Sequence, residues 1–177
     1  VKAIAKDANS PTNALIEDAN YHAISVLNYT HKGKIDLIYI DPPYNTGHKD
    51  FTYNDAYVDV DDSYRHSKWL SFISVRLRLA RNLLKDDGVI FISIGEDEVA
   101  SLKLLCNEIF GGQNLVTNFI WEKTQHFGRQ KVNSYSNADY ILCYAKRLNS
   151  GNIKELLVES VKEEHEDAPL YNASNPT

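Results

Sequence analysis

The stretch Ile35-Asp36-Leu37-Ile38-Tyr39-Ile40-Asp41-Pro42-Pro43-Tyr44 decides the fold, because five of its first six residues are apolar or aromatic and two prolines then stop the run. A short apolar segment ended by proline predicts a strand buried on both faces, the habit of parallel sheets with helices on either side. Proline lacks an N–H and holds φ at about −65°, so a ladder cannot continue through it.

Working upstream, Asn20 to Tyr29 places Tyr21, Ile24, Val26 and Leu27 at helical spacing, and the polar Thr30 to Lys34 connects that helix to the strand. Downstream, the polar stretch Asn45 to Asp62 is expected to be one long loop of the kind that carries function in compact domains. Ser63 is the expected cap of a helix over Tyr64 to Leu84, in which Trp69, Ile73, Leu77, Ala80 and Leu84 form an apolar stripe. Gly88 is expected to end that helix, after which Val89 to Ile94 repeats the buried-strand pattern. Glu96 to Phe110 predicts another helix, with acids in its first turn and Gly111-Gly112 at its end. Leu115 to Trp121 and Tyr140 to Ala145 are β-rich, and the polar Glu122 to Ala138 between them is expected to be an exposed loop.

Strands alternating with helices of more than about ten residues imply βαβ units and an α/β sheet, with ligands at the carboxyl ends of the strands. The Asp-Pro-Pro-Tyr corner occupies such an end. Three regions result: an N-terminal lead-in and helix over 1–34, a catalytic subdomain over 35–148, and an acidic tail over 149–177. Within the tail, residues 154 to 167 carry six acids against two lysines, expected to be a solvated helix followed by coil.

Composition narrows the class. The 177 residues are 43% hydrophobic and 11% aromatic, which excludes a chain too polar to collapse. No window reaches the roughly 18 apolar residues of a membrane span, and VKAIAKDANSP lacks a signal-peptide core, so no membrane role is expected. Cys106 and Cys143 sit in apolar runs and are expected to be packing residues in a reducing, cytoplasmic setting. Six histidines without metal-ligand spacing point to no metal site. Trp69 and Trp121 are expected to fill the core, and Arg65, Lys68, Arg76, Arg78 and Arg81 to face mostly solvent. The net charge of −5 does not exclude DNA, since only the contacting groove must be basic. The absence of Met and the Val at position 1 point to an excerpt of a longer polypeptide.

The corner's chemistry follows from its residue types. An Asp-Pro pair after a strand also makes a plain turn. At a strand's carboxyl end, however, a stiff corner rich in acceptors suits a nitrogen that donates two hydrogen bonds, as the exocyclic amine of adenine or cytosine does. The Asp41 carboxylate would take one hydrogen, the Pro42 carbonyl the other, and Tyr44 would stack on the ring. An aromatic amine is a poor nucleophile because its lone pair is delocalised. Two acceptors aimed at its hydrogens draw the nitrogen toward tetrahedral geometry, and Asp41 opposes the charge that develops during transfer. A base in duplex DNA reaches such a pocket only by flipping out, and stacking returns about 1 to 3 kcal/mol per base.

Leu37-Ile38-Tyr39-Ile40-Asp41-Pro42-Pro43-Tyr44-Asn45-Thr46-Gly47 resembles the catalytic motif of permuted adenine-N6 DNA methyltransferases, including the modification subunits of type III restriction-modification systems. Tyr21-His22-Ala23, Tyr64-Arg65-His66-Ser67-Lys68-Trp69-Leu70, Gly88-Val89-Ile90, Glu108-Ile109-Phe110-Gly111, Ser136-Asn137-Ala138-Asp139-Tyr140 and Ala168-Pro169-Leu170-Tyr171-Asn172 are similar to that family in order and spacing. The resemblance implies a Rossmann-like methyltransferase sheet and transfer of a methyl group from S-adenosylmethionine to adenine N6 in DNA. It also implies that Asp41, Pro42, Pro43 and Tyr44 form the catalytic corner, with Asn45 and Thr46 beside the cofactor. DNA is the implied partner, together with a restriction subunit and a second modification subunit. The basic and aromatic loop around His126, Phe127, Arg129, Lys131 and Tyr135 suits phosphate and base contacts.

Two departures from the family pattern stand out. Asp18-Ala19 occupies the place of the usual Gly-Asp, and the glycine-rich cofactor loop Phe-x-Gly-x-Gly is not found in the 177 residues. The expectation is therefore the catalytic half of a doubly wound sheet, with the cofactor-loop half beyond Thr177. Negligible activity in isolation and an apolar edge at the first strand are expected with it. The rival readings are a cytosine-N4 DNA enzyme, a protein or RNA amide or amino methyltransferase, and an inactive fragment that only binds DNA or a partner subunit.

Overall fold

The computed structural model describes residues 2–4, 13–53, 56–122 and 138–148. Strand β1 (Lys2–Ile4) pairs antiparallel with β2 (Asn13–Leu15), and helix α1 (Asn20–Thr30) leads into β3 (Ile35–Ile40). There follow β4 (His48–Tyr53), β5 (Ala56–Asp59), α2 (Arg65–Leu83), β6 (Leu84–Ile94), α3 (Val99–Cys106), β7 (Leu115–Glu122) and β8 (Ala138–Ala145). The central sheet runs β3-β6-β8-β7. β3 and β6 are parallel, with Ile38 opposite Ile90, while β8 is antiparallel to both β6 and β7. The expected α/β class holds, and its parallel pair is the β3-α2-β6 unit.

Helix α2 buries the predicted stripe. Trp69 and Leu77 are fully buried, and Ile73 and Ala80 nearly so, against Ile90, Ile92 and Ile94 of β6, Leu102 and Cys106 of α3, and Leu142 and Tyr144 of β8. These residues alternate along the strands, so α2 and α3 cover one face of the sheet. On the opposite face Leu37 is 56% and Tyr39 58% exposed. The expectation that β3 is buried on both faces is therefore corrected: Ile35, Ile38 and Ile40 pack against the core, while Leu37 and Tyr39 stay exposed.

Several boundaries also differ from expectation. The supposed loop over 45–62 contains the β4-β5 hairpin, whose Phe51 and Val58 are buried in the main core, Phe51 lying edge-on to Phe72 at 5.1 Å. Ser63 does not cap α2. Instead the Tyr64 N–H donates to Asp62 Oδ1 at 2.8 Å, and Lys68 Nζ meets Asp62 Oδ2 at 2.5 Å. Gly88 does not end α2 either, because the chain turns extended at Leu84 and Gly88 lies inside β6. A Cβ there would stand 2.9 Å from the Ile35 carbonyl, so glycine lets the two parallel strands close up. Helix α3 starts at Val99 and runs on as a π-helical turn over Asn107–Gly111, where Gly111 takes φ 93°. Trp121 is 62% exposed rather than core, and Arg65, Lys68, Arg76 and Arg81 are half-buried rather than solvated, Arg78 alone of the five being exposed.

Candidate active site

The site is built on the carboxyl ends of the two parallel strands. Where β3 stops, the Trp69 indole donates to the Pro43 carbonyl at 2.7 Å, tying the corner to the centre of the core. Pro42 is buried and Tyr44 half-buried. Tyr44 lies over Gly95, the residue that follows β6, where a Cβ would come within 3.0 Å of Tyr44 Cδ2. Burial first, and then the charges of Asp139 and Asp41, push the Tyr44 phenol up to about 12, so it stays protonated and able to donate, with Asp41 as its acceptor.

Two cavities flank the corner. One, of about 270 Å³, is lined by Tyr39, Asp41, Tyr44, Ser93, Trp121, Asp139 and Ile141. The other, of about 240 Å³, lies between β3 and helices α1 and α2; its wall includes Ile24, Ile40, Asp41, Pro42, Phe72 and Arg76. Asp41 is the one residue common to both linings. The first cavity presents aromatic rings and carboxylates at the open face of the sheet, where Tyr39 and Ser93 share a 2.6 Å hydrogen bond. Its chemistry suits a flat, amine-bearing ring. In the second, Arg76 is already committed, stacked 3.6 Å over Phe72 and donating to Asn20 Oδ1 at 2.7 Å.

Asn45 and Thr46, expected beside the cofactor, are held from behind. Asn45 takes φ 57° and is fully buried, its amide donating to Glu98 Oε1 at 2.5 Å. The Thr46 N–H donates to Asp50 Oδ2 at 2.8 Å, and Arg65 Nη1 donates to the Thr46 carbonyl at 3.3 Å. The structure thus places Asp41 and Tyr44 on the wall of the first cavity and Asp41, Pro42 and Pro43 on that of the second, and ties the Asn45 side chain to Glu98 instead. His126, Arg129 and Lys131 lie outside the described residues, as does the acidic tail.

Sequence reasoning missed Glu98, Gly95 and the lining roles of Tyr39, Ser93, Trp121 and Asp139. Glu98 sits in an acidic triplet that looks like an ordinary helix start, and Gly95 carried a signal as a glycine directly after a buried strand. Among the described residues no three His, Cys, Asp or Glu side chains are grouped to hold a metal ion, and no helix is long and apolar enough to cross a membrane.

Residues 35–174 match the DNA methylase family. The Mod subunit of the type III restriction-modification enzyme StyLTI from Salmonella typhimurium is 37% identical over 94% of this chain and 29% of its own length. The type II methyltransferase M.KpnI from Klebsiella pneumoniae is 37% identical over 78% of this chain and 33% of its own. Among solved structures, a putative DNA modification methylase from Thermus thermophilus, in complex with S-adenosyl-L-methionine, superposes with a TM-score of 0.51 at 17% identity, covering 71% of this chain and 51% of that one. That likeness shows the fold, a partial methyltransferase sheet. The chain spans about a third or less of the length of the two curated relatives. With its corner at the carboxyl end of β3 and its sequence matched from that strand onward, the chain belongs to the DNA methylase family.

Proposed function

We propose that this chain carries the target-base half of an adenine-N6 DNA methyltransferase of a restriction-modification system. The observation that carries the reading is the position of Asp41, whose residue lines both cavities. A transferred group must pass between acceptor and donor, and a carboxylate at that boundary faces both. Asp41 and the Pro42 carbonyl take the two amine hydrogens, and Tyr44 stacks on the extruded ring, with Trp121 on the same cavity wall as Tyr44. The amine proton leaves toward Asp41 once the nitrogen has become cationic. Asp41, itself exposed, counters that charge from a fixed place on the wall shared by the two cavities.

The described residues fit S-adenosylmethionine only at its reactive end. Asp41 offers a carboxylate to a cationic sulfonium, and Ile24, Ile40 and Phe72 offer an apolar wall. When bound, the cofactor supplies an electrophilic methyl group. Groups to grip its adenosine and amino-acid ends are not found among the described residues. Adenine is favoured over cytosine because Asp rather than Ser opens the motif. DNA, a restriction subunit and a second modification subunit are the proposed partners, and the cytoplasm the proposed location.

The test is transfer of labelled methyl from S-adenosylmethionine to DNA by the full-length protein, followed by nucleoside digestion. N6-methyladenine is the expected product, and Asp41→Ala should abolish it. N4-methylcytosine as the sole product would transfer the assignment to the cytosine group. The 177-residue chain alone is expected to show negligible turnover.

A further inference from the structure

We propose that Glu98 is a positioning residue for the base pocket, acting through Asn45 and His66 to fix the plane of Tyr44; the inference rests on the methyl-transfer reading above and deepens it. One oxygen of the Glu98 carboxylate, Oε1, receives both the Asn45 amide at 2.5 Å and the His66 Nδ1 at 2.6 Å. A carboxylate only accepts, so His66 Nδ1 carries its proton. Glu98 itself is fully buried, while the His66 side chain is half-exposed. One residue earlier in α2 and in the acidic run, Arg65 lies 3.6 Å from Asp97 and donates to the Thr46 carbonyl at 3.3 Å. Glu98 thus joins Asn45 directly to His66 at the start of α2, while Arg65 beside it links Asp97 to the Thr46 carbonyl.

The arrangement is costly for stability alone. Glu98 Oε2 and Asn45 Oδ1 are both buried without a hydrogen-bond partner among the described residues. Buried polar atoms left unmatched destabilise, and apolar side chains of similar volume would serve the core better. What the contact achieves is placement. Asn45 directly follows Tyr44 and holds a left-handed φ of 57°, a conformation Asn adopts more readily than other non-glycine residues, and the Glu98 contact fixes where its side chain goes. Gly95 seats the Tyr44 ring, and Glu98, three residues later on the same loop, anchors the peptide after that ring. A single loop therefore sets both the height and the tilt of the stacking platform.

The experiment uses the full-length protein with Glu98→Ala, Glu98→Gln, Asn45→Gly and the Glu98→Ala/Asn45→Gly double variant. Hydrogen exchange over residues 41–47, S-adenosylmethionine binding, and kcat and KM for DNA are measured for each. Gln keeps an oxygen for both donors and should stay near wild type, whereas Glu98→Ala should speed exchange over 41–47 and lower kcat by about a hundred-fold, the scale of a misplaced reacting group, with cofactor binding unchanged. Glycine holds the left-handed turn without a tether, so Glu98→Ala should add little further loss in the Asn45→Gly background. Unaltered exchange and kcat in Glu98→Ala, or a loss equally large in both backgrounds, would overturn the proposal. If the wild-type protein modifies no adenine, the functional reading fails by itself, and exchange over 41–47 still decides the role of Glu98.

Discussion

Trp69 and Pro43 are joined by a 2.7 Å hydrogen bond from the indole to the carbonyl, so the largest fully buried side chain of the core also holds the corner at the active site. Trp69 is therefore both a packing residue and a strut. Trp69→Phe should cost about 1–3 kcal/mol from the unpaired Pro43 carbonyl, with a further loss from the void left by the smaller ring. Calorimetry should show a clearly lower Tm. A variant as stable as wild type would mean that the carbonyl finds another donor.

Gly95 and Gly112 make a matched pair. A Cβ on Gly95 would press against Tyr44 Cδ2 at 3.0 Å, whereas one on Gly112 would meet Asn107 Oδ1 at an ordinary 3.5 Å. Gly95→Ala should leave the fold intact, displace the Tyr44 ring by a few tenths of an ångström and lower methyl transfer about ten-fold in the full-length protein, since positioning errors act steeply on rate. Gly112→Ala has helical φ and meets only ordinary van der Waals contacts, so it should be neutral or stabilising by up to about 1 kcal/mol. Equal effects of the two substitutions on turnover would refute the idea that Gly95 seats the ring.

Much of this site could be read before any coordinates, and the rest could not for definite reasons. β3, β6 and the α2 stripe were legible because apolar residues at period 2 or 3.6 have few other ways to bury themselves. The β4-β5 hairpin was hidden because Lys49 and Asp50 make its first strand look like loop, and its burial depends on Phe51 finding Phe72 across the chain. Gly88 carries the same letter as a helix cap, and only the neighbouring Ile35 carbonyl reveals its use inside a strand. Hydrophobicity alone points Trp121 to the core, but it lies 62% exposed on a sheet face that no described helix covers. Asp-Pro-Pro-Tyr announced the cavity through its own chemistry. Glu98 did not, because its partners Asn45 and His66 stand 53 and 32 residues away in sequence.

The buried thiols predict a response to alkali. Burial pushes Cys106 and Cys143 from 9.0 up to about 12, and burial followed by the neighbouring Cys106 pushes Tyr144 from 10.0 up to about 12. In the unfolded chain these groups ionise first, so folding is undiminished by them below pH 9 and loses free energy as the pH rises from there toward 12. Thermal melts across that range should show a falling Tm, with a shallower fall in Cys106→Ala. Neither thiol should react with iodoacetamide at about pH 8, below the ordinary thiol range, until denaturant is added. Rapid alkylation of the native protein would contradict the packing seen here.

Among the described residues β3 stands at the edge of the central sheet, and Leu37 projects from its open face, 56% exposed. An edge strand offers unpaired N–H and C=O groups along its length, and a flanking apolar side chain makes addition of another strand favourable. The 177-residue chain should therefore self-associate with rising concentration through this edge. Leu37→Lys places a charge where an incoming strand would have to bury it, and Leu37 is not among the residues lining the base cavity. Light scattering should show the variant staying monomeric at concentrations where the parent chain associates, with an unchanged Tm. If substitution at Leu37 leaves association as it was, the contact lies elsewhere, and the exposed Ile120 and Trp121 of β7, at the opposite edge of the sheet, become the surface to alter next.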